Sequence, residues 1–285
     1  MITKRLRRFA EAFTPLRWIA LAFVLLVIVL AVLAPVIVTF DPVAQDIAHR
    51  LLPPGTPGHI LGTDEYGRDV FTRLIYGARV ELLIAFGATS LAAVFGTLLG
   101  LIGGYFGGIA EFLTMRLTSD VLLAFPPIIL ALLIVTIYGP GVGTLIVVMG
   151  ILFAPKFARI VYGQTLSVKR LEYVDAAKAF GASIPTALFR VVLPNVSAPI
   201  VVQFSLVMAS SILLESGLSF LGLGVVAPAP SWGGMVSSGQ RYMGSDPATI
   251  LVPSIMVVLT ILSFGLLADA LRELLDPRAR KGNHA

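Results

Sequence analysis

Five long stretches of this chain carry no charged residue. They lie between Arg17 and Asp41, Glu81 and Glu111, Asp120 and Lys156, Arg190 and Glu215, and Asp246 and Asp269. Each matches or exceeds the roughly 20 apolar residues that a helix needs to cross a bilayer. The pattern predicts spans near Trp18–Val38, Leu82–Phe106, Ser197–Leu214 and Thr249–Ala268. The third stretch is longer than one crossing needs, and the turn-forming run Tyr138–Gly143, "YGPGVG", divides it. It therefore predicts two more spans, Val121–Ile137 and Thr144–Val161.

Composition agrees with that reading. The chain is 57% hydrophobic and 13% charged, against about 25% charged for a soluble domain. The fold class is an all-α integral membrane protein with six transmembrane helices, both termini on one side. The basic run "KRLRR" before the first apolar stretch is followed by too long a core for a secretory signal, and no small-residue cleavage site follows it. The first span reads as a retained anchor.

The net charge of +5 implies no nucleic acid, because bases in a membrane protein mark the cytoplasmic loops. Sixteen of the 21 Lys and Arg residues fall on one side, in the amino tail, at Arg116, along residues 156–190 and in the carboxyl tail. Arg50, Arg68, Arg73, Arg79 and Arg241 fall on the other. The expected organisation is a cytoplasmic tail at 1–17, a first helix at 18–39 and an extracytoplasmic loop at 40–81. A core at 82–270 and a cytoplasmic tail at 271–285 follow. The chain contains no cysteine and only His49, His59 and His284, so thiolate chemistry is excluded and no metal site of ordinary spacing is expected.

Between two of the spans lies a polar interruption, Leu171–Asn195, "LEYVDAAKAFGASIPTALFRVVLPN". Glu172–Phe180 is Ala-rich and suits a helix. Gly181 stands where a left-handed helix cap commonly falls. Ser183 and Pro185 suit the start of a second helix, which is expected to end before Pro194. Ala176 and Ala177 would let another backbone come close, and Glu172, Asp175 and Lys178 form a polar stripe. On these grounds alone the stretch reads equally as a solvated loop or as a docking element for a soluble partner.

Other features carry weaker signals. Gly96, Gly100, Gly104 and Gly108 recur every four residues and predict a close helix seam. Asp64–Ala78 predicts an amphipathic helix with Val70, Phe71, Leu74, Ile75 and Ala78 on one stripe and an Asp69–Arg73 pair. It fits a membrane surface, a partner, or a cap on the bundle. Pro126, Pro127, Pro199 and Pro253 predict kinks. An acid near membrane depth is a functional candidate, so Glu215, with Pro126 and Pro127, is a candidate for a translocation route or its gate. The Gly- and Pro-rich loop from Glu215 to Gly244 suggests a re-entrant or scoop-like segment, with Trp232 and Tyr242 suited to the membrane interface.

The interruption resembles the cytoplasmic coupling motif of ABC importer permeases, which reads E-A-A, three residues, G, nine residues, I-x-L-P. Here the run is Asp175-Ala176-Ala177, Gly181, then Val191-x-Leu193-Pro194, with Asp and Val replacing Glu and Ile. Glu172 is also typical of one branch, the C-type permease subunit of dipeptide, oligopeptide and nickel importers. His59–Leu82, Glu215–Met235 and Leu267–Arg278 are similar to segments of that branch, while Gly265 and Ala268 stand where it often has Asn and Gly.

The resemblance implies a type I ABC importer permease fold, with coupling helices at 171–195 docked on a separate ATPase. Glu172, Asp175, Ala176, Ala177, Gly181 and Pro194 are its implied coupling residues. The implied partners are a homologous B-type permease, two ATPase subunits that bind ATP and Mg, an extracytoplasmic binding protein and the lipid of a bacterial or archaeal cytoplasmic membrane. The implied solute is a di- or oligopeptide, with nickel or another small solute as the alternative. The chain has no G-x-x-x-x-G-K-[ST] phosphate loop, as a transport subunit without its own catalytic residues or cofactor would lack. An ion-coupled secondary transporter would require paired ionisable groups in mid-span. An intramembrane hydrolase would require a nucleophile and base at depth. The spans offer neither pattern.

Overall fold

The computed structural model describes residues 13–275. The tail bases Lys4, Arg5, Arg7, Arg8, Arg278, Arg280 and Lys281 lie outside the described residues.

The long elements of the described chain are all helices, with α1 at Pro15–Ile37 and α2 at Val70–Phe106. Next come the bent pair α3 (Gly108–Leu123) and α4 (Pro127–Tyr138), then α5 (Val142–Val168). After the short α6 (Glu172–Ala179), the long α7 covers Ile184–Phe220. The short α8 (Trp232–Gly239) and α9 (Ala248–Leu275) complete it. Five of these are long and apolar enough to cross a membrane, and the α3–α4 pair makes a sixth crossing. Their outward faces carry Leu, Ile, Val and Phe in the open, as lipid-facing helices require.

Three elements differ from the sequence expectation. The amphipathic segment and the second span are one helix. It starts at Val70 rather than Asp64, because the Asp69 carboxylate accepts from the Thr72 N–H at 2.7 Å and so caps the first turn. Asp69 also meets His59 at 2.9 Å, whereas Arg73 turns away to Asp64 at 3.3 Å, so the expected Asp69–Arg73 pair does not form. The apolar stripe is covered by protein: Val70, Leu74 and Ala78 pack with Val27, Ala31, Trp232 and Met235. The segment caps the bundle.

The third crossing is broken. Pro126 is extended and Pro127 opens α4, and the two halves meet at 90°. Proline removes a hydrogen bond and clashes with the preceding turn, and two in succession end the helix. Pro199 and Pro253 sit inside unbroken helices. The second helix of the polar interruption also fails to end before Pro194. It passes through a wide π-helical stretch, Ala187–Val192, into α7.

Packing centres on α2 against α5. A Cβ added at Gly96 would stand 2.2 Å from the Ala154 carbonyl oxygen, and one at Gly100 2.6 Å from that of Ala158. At Gly104 it would stand 2.7 Å from Thr165 Cβ. These glycines let two backbones touch where lipid offers no hydrophobic drive to associate. Gly108 lies beyond the seam, in open space with φ of +53°. Lys156, counted above with the polar stretch, lies within α5, half-buried, with its ammonium 3.2 Å from Ser210 Oγ and 4.6 Å above the Phe153 ring.

Candidate functional site

The polar interruption folds as a short helix, a sharp turn and the entry to a long helix. In α6, Val174 is the anchor. It is fully buried with Leu101, Val161, Val168, Leu188, Val192 and Val196 at the ends of α2, α5 and α7. Its neighbours face out: Glu172, Tyr173, Asp175, Ala176 and Lys178 are exposed, and Ala177 is half-buried. Lys178 pairs with Asp175 at 3.1 Å, an exposed contact of little energetic weight.

The turn after α6 follows the glycine. The N–H of Ala182 donates to the Ala177 carbonyl at 3.0 Å, and that of Gly181 to the Lys178 carbonyl at 2.9 Å. Gly181 has φ of +83°, and a Cβ there would meet nothing within 4 Å. Glycine is therefore required for its backbone conformation and not for space. Ser183 precedes α7 without capping its backbone; its hydroxyl meets Thr186 Oγ1 at 2.9 Å. Pro185 lies in the first turn as expected.

The structure adds a residue that sequence reasoning passed over. Phe180 is 92% exposed. Tyr173, Ile184 and Phe189 are also exposed around it, so the free surface of the segment is apolar at its centre. Its signal in the sequence was an aromatic residue directly before the capping glycine, where a helix expected to turn its apolar residues inward offers no inward position. Behind this surface the Lys169 ammonium donates to the Gly104 carbonyl at 2.6 Å, so a cation closes the carboxyl end of α2.

At the opposite end of the bundle Glu215 is fully buried, not solvated. It accepts from Ser219 Oγ at 2.6 Å. Adjoining it is Glu81 of α2, also fully buried, and Oε2 of each acid is left without a hydrogen-bond partner. Ser216 Oγ stands 3.5 Å from Glu81 Oε1. Glu81 was read as the border of a loop, because its distance in sequence from Glu215 concealed the pairing.

The loop after α7 seals this end. Trp232, expected at the membrane interface, is fully buried and donates its indole N–H to the Leu74 carbonyl at 2.9 Å. Gly233 lies so near α7 that a Cβ would stand 2.2 Å from the Ser216 carbonyl oxygen. Arg73 bridges the two outer segments, donating to the carbonyls of Pro42 at 2.7 Å and Pro228 at 3.3 Å. Pro126 and Pro127 form the bend of the third crossing. Among the described residues no group of His, Cys, Asp and Glu could hold a metal ion.

Known proteins share this arrangement. Residues 14–54 match the N-terminal transmembrane domain of oligopeptide transport permease C, and residues 96–281 match the family described as binding-protein-dependent transport system inner membrane component. The dipeptide transport system permease protein of Alkalihalophilus pseudofirmus is 40% identical over 95% of this chain and 90% of its own. The glutathione transport system permease protein of Pectobacterium atrosepticum is 40% identical over 90% of this chain and 85% of its own. Among solved structures, an inward-facing form of the MetNI methionine ABC transporter superposes with a TM-score of 0.57 at 20% identity, covering 72% of this chain and 97% of that one. With its helical order shared by a type I importer permease and most of its length matched, the chain belongs to the inner membrane components of binding-protein-dependent transport systems.

Proposed function

We propose that this chain is one of two transmembrane subunits of an ATP-driven importer that carries di- or oligopeptides across the cytoplasmic membrane by alternating access. The observation that carries this reading is the exposed face of α6 and the turn after it, with Phe180 almost wholly uncovered at the centre. A large apolar residue held in the open on a membrane protein's polar end marks a contact with another protein. Glu172, Asp175, Ala176, Ala177 and Gly181 present that face to a separate ATPase, and Pro194 lies where the segment joins α7. Because the segment runs straight into α7, a push on α6 is transmitted to a membrane span. ATP and Mg are held by the two ATPase subunits, and this chain hydrolyses nothing.

The basic tails and the α6 segment face the cytoplasm. A homologous B-type permease completes the route, and an extracytoplasmic binding protein delivers the solute to the outer end, where the 38–69 and 221–231 segments lie. The bend at Pro126–Pro127 and the carboxyl of Glu215 are the candidates for shaping and gating the route. The peptide assignment is supported by the dipeptide and glutathione permeases among the relatives.

Reconstitution tests this directly. The complete complex in proteoliposomes, supplied with binding protein and ATP, is expected to accumulate labelled dipeptide. ATP-dependent accumulation of nickel but not peptide would reassign the solute. Uptake driven by an ion gradient without the ATPase would overturn the reading.

A further inference from the structure

A groove of about 930 Å³ runs along the bundle between α1, α2, α7 and α9. Its walls are large and apolar, including Ile28, Leu82, Phe86, Phe204, Met208 and Phe264. Along the first helix its lining runs from Phe13, just ahead of α1, through Leu21 to Val32, and the Leu21–Val32 part alone covers about 17 Å at the helical rise of ~1.5 Å per residue. The groove is therefore longer than one leaflet of a hydrocarbon core ~30 Å thick, and long enough to hold acyl chains. One guanidinium belongs to the groove, that of Arg79. It stands where the charge-free part of α2 begins, at the end of the groove where Ala31 of α1 packs beside Ala78. Arg79 is exposed, and among the described residues no acid or hydrogen-bond acceptor meets it. Glu81, two positions on, turns to the bundle interior instead.

A long apolar trough with one unpaired cation at its membrane-boundary end has the chemistry of a phospholipid's complement. We propose that the groove is a phospholipid site, the acyl chains lying between α1 and α7 and the phosphate on Arg79. A neighbouring transmembrane helix fits it less well. Helices associate in lipid through small residues that let backbones approach, as Gly96, Gly100 and Gly104 do on the α2–α5 seam. The groove offers only Ala31 and Ser205, and the Ser205 hydroxyl is engaged by the Phe264 carbonyl at 2.7 Å. Flexible, bulky walls suit acyl chains.

The test uses the complete complex in phosphatidylcholine vesicles containing spin-labelled phosphatidylglycerol. The wild-type complex is expected to immobilise a fraction of the label. Arg79→Gln is expected to reduce that fraction several-fold, Arg79→Lys to keep most of it, and Arg241→Gln, which alters an exposed base outside the groove, to leave it unchanged. Leu83→Trp, which fills the groove, is expected to lower it with insertion intact. Equal immobilisation in wild type and Arg79→Gln overturns the proposal. So does efficient crosslinking of Val201→Cys to the companion permease, which would show the groove occupied by a helix.

Discussion

Glu81 on α2 and Glu215 on α7 adjoin in the core, both wholly shielded from solvent, and each keeps one carboxyl oxygen without a hydrogen-bond partner. Above them sits the start of α8, whose Trp232 indole is fastened to the Leu74 carbonyl. Two spans and the loop that covers them therefore meet at one acid pair. Buried ionisable groups in membrane proteins are costly and are retained where they serve a function. This pair ties α2, α7 and α8 at the end of the bundle opposite the α6 surface.

Changing one acid to its amide keeps the shape of the site and gives the unpartnered carboxyl oxygen beside it an N–H₂ donor. Glu81→Gln and Glu215→Gln are each expected to keep near-normal uptake in proteoliposomes. Glu215→Leu leaves Glu81 buried against an apolar side chain and takes from the Ser219 hydroxyl its acceptor, at a cost of about 1–3 kcal/mol, and is expected to lower both uptake and thermal stability of the purified complex. Glu81→Leu/Glu215→Leu, which removes both groups, is expected to recover much of the stability but not the uptake. Full uptake in the double variant would reduce the pair to a packing role.

Gly181→Val places a β-branched residue at φ of +83°, a conformation that costs an L-residue about 1–2 kcal/mol. The turn after α6 is expected to shift while the spans stay in place. Membrane insertion should be normal. Copurification of the ATPase and peptide-stimulated ATP hydrolysis should fall together. Normal values of both would separate Gly181 from coupling.

Phe180→Ser removes the apolar centre of the exposed segment without touching a buried contact. Folding stability is expected to be unchanged and binding of the ATPase to weaken by about 2 kcal/mol or more, as for the loss of an interface anchor. Titration of purified ATPase against the detergent-solubilised permease measures it. An unchanged affinity would move the docking surface elsewhere.

Gly100→Leu drives a side chain into the Ala158 carbonyl, where even a Cβ would stand at 2.6 Å. Overpacking of this kind costs about 1–3 kcal/mol, and more where backbone must move. Loss of the folded protein on expression is expected. Gly265→Ala is the control: its Cβ meets nothing within 4 Å, and thermal unfolding should be unaffected.

Most of the architecture was legible in the chain itself. Long charge-free runs require helices, since no other open structure satisfies its backbone in lipid. Gly181 announced a left-handed turn that the structure contains. The regular spacing of Gly96, Gly100 and Gly104 announced a close seam. Each of these signals is local or periodic, so neighbouring residues suffice to read it.

What the sequence determined, then, is the membrane class, the crossings and the bend after α6, because hydropathy and backbone conformation act over a few turns of chain. Tertiary structure decided the rest. Arg73 leaves the helical neighbour Asp69 for Asp64, because Asp69 is already engaged by the first turn of α2 and by His59. Trp232 leaves the interface for a fully buried site, because the Leu74 carbonyl satisfies its N–H there. Glu81 and Glu215 meet only because α2 and α7 pack side by side, and on the α6 segment it is Val174 that is buried in the core while Phe180 stays in the open. Contacts between residues distant in the chain depend on how helices pack, and no short-range pattern encodes them.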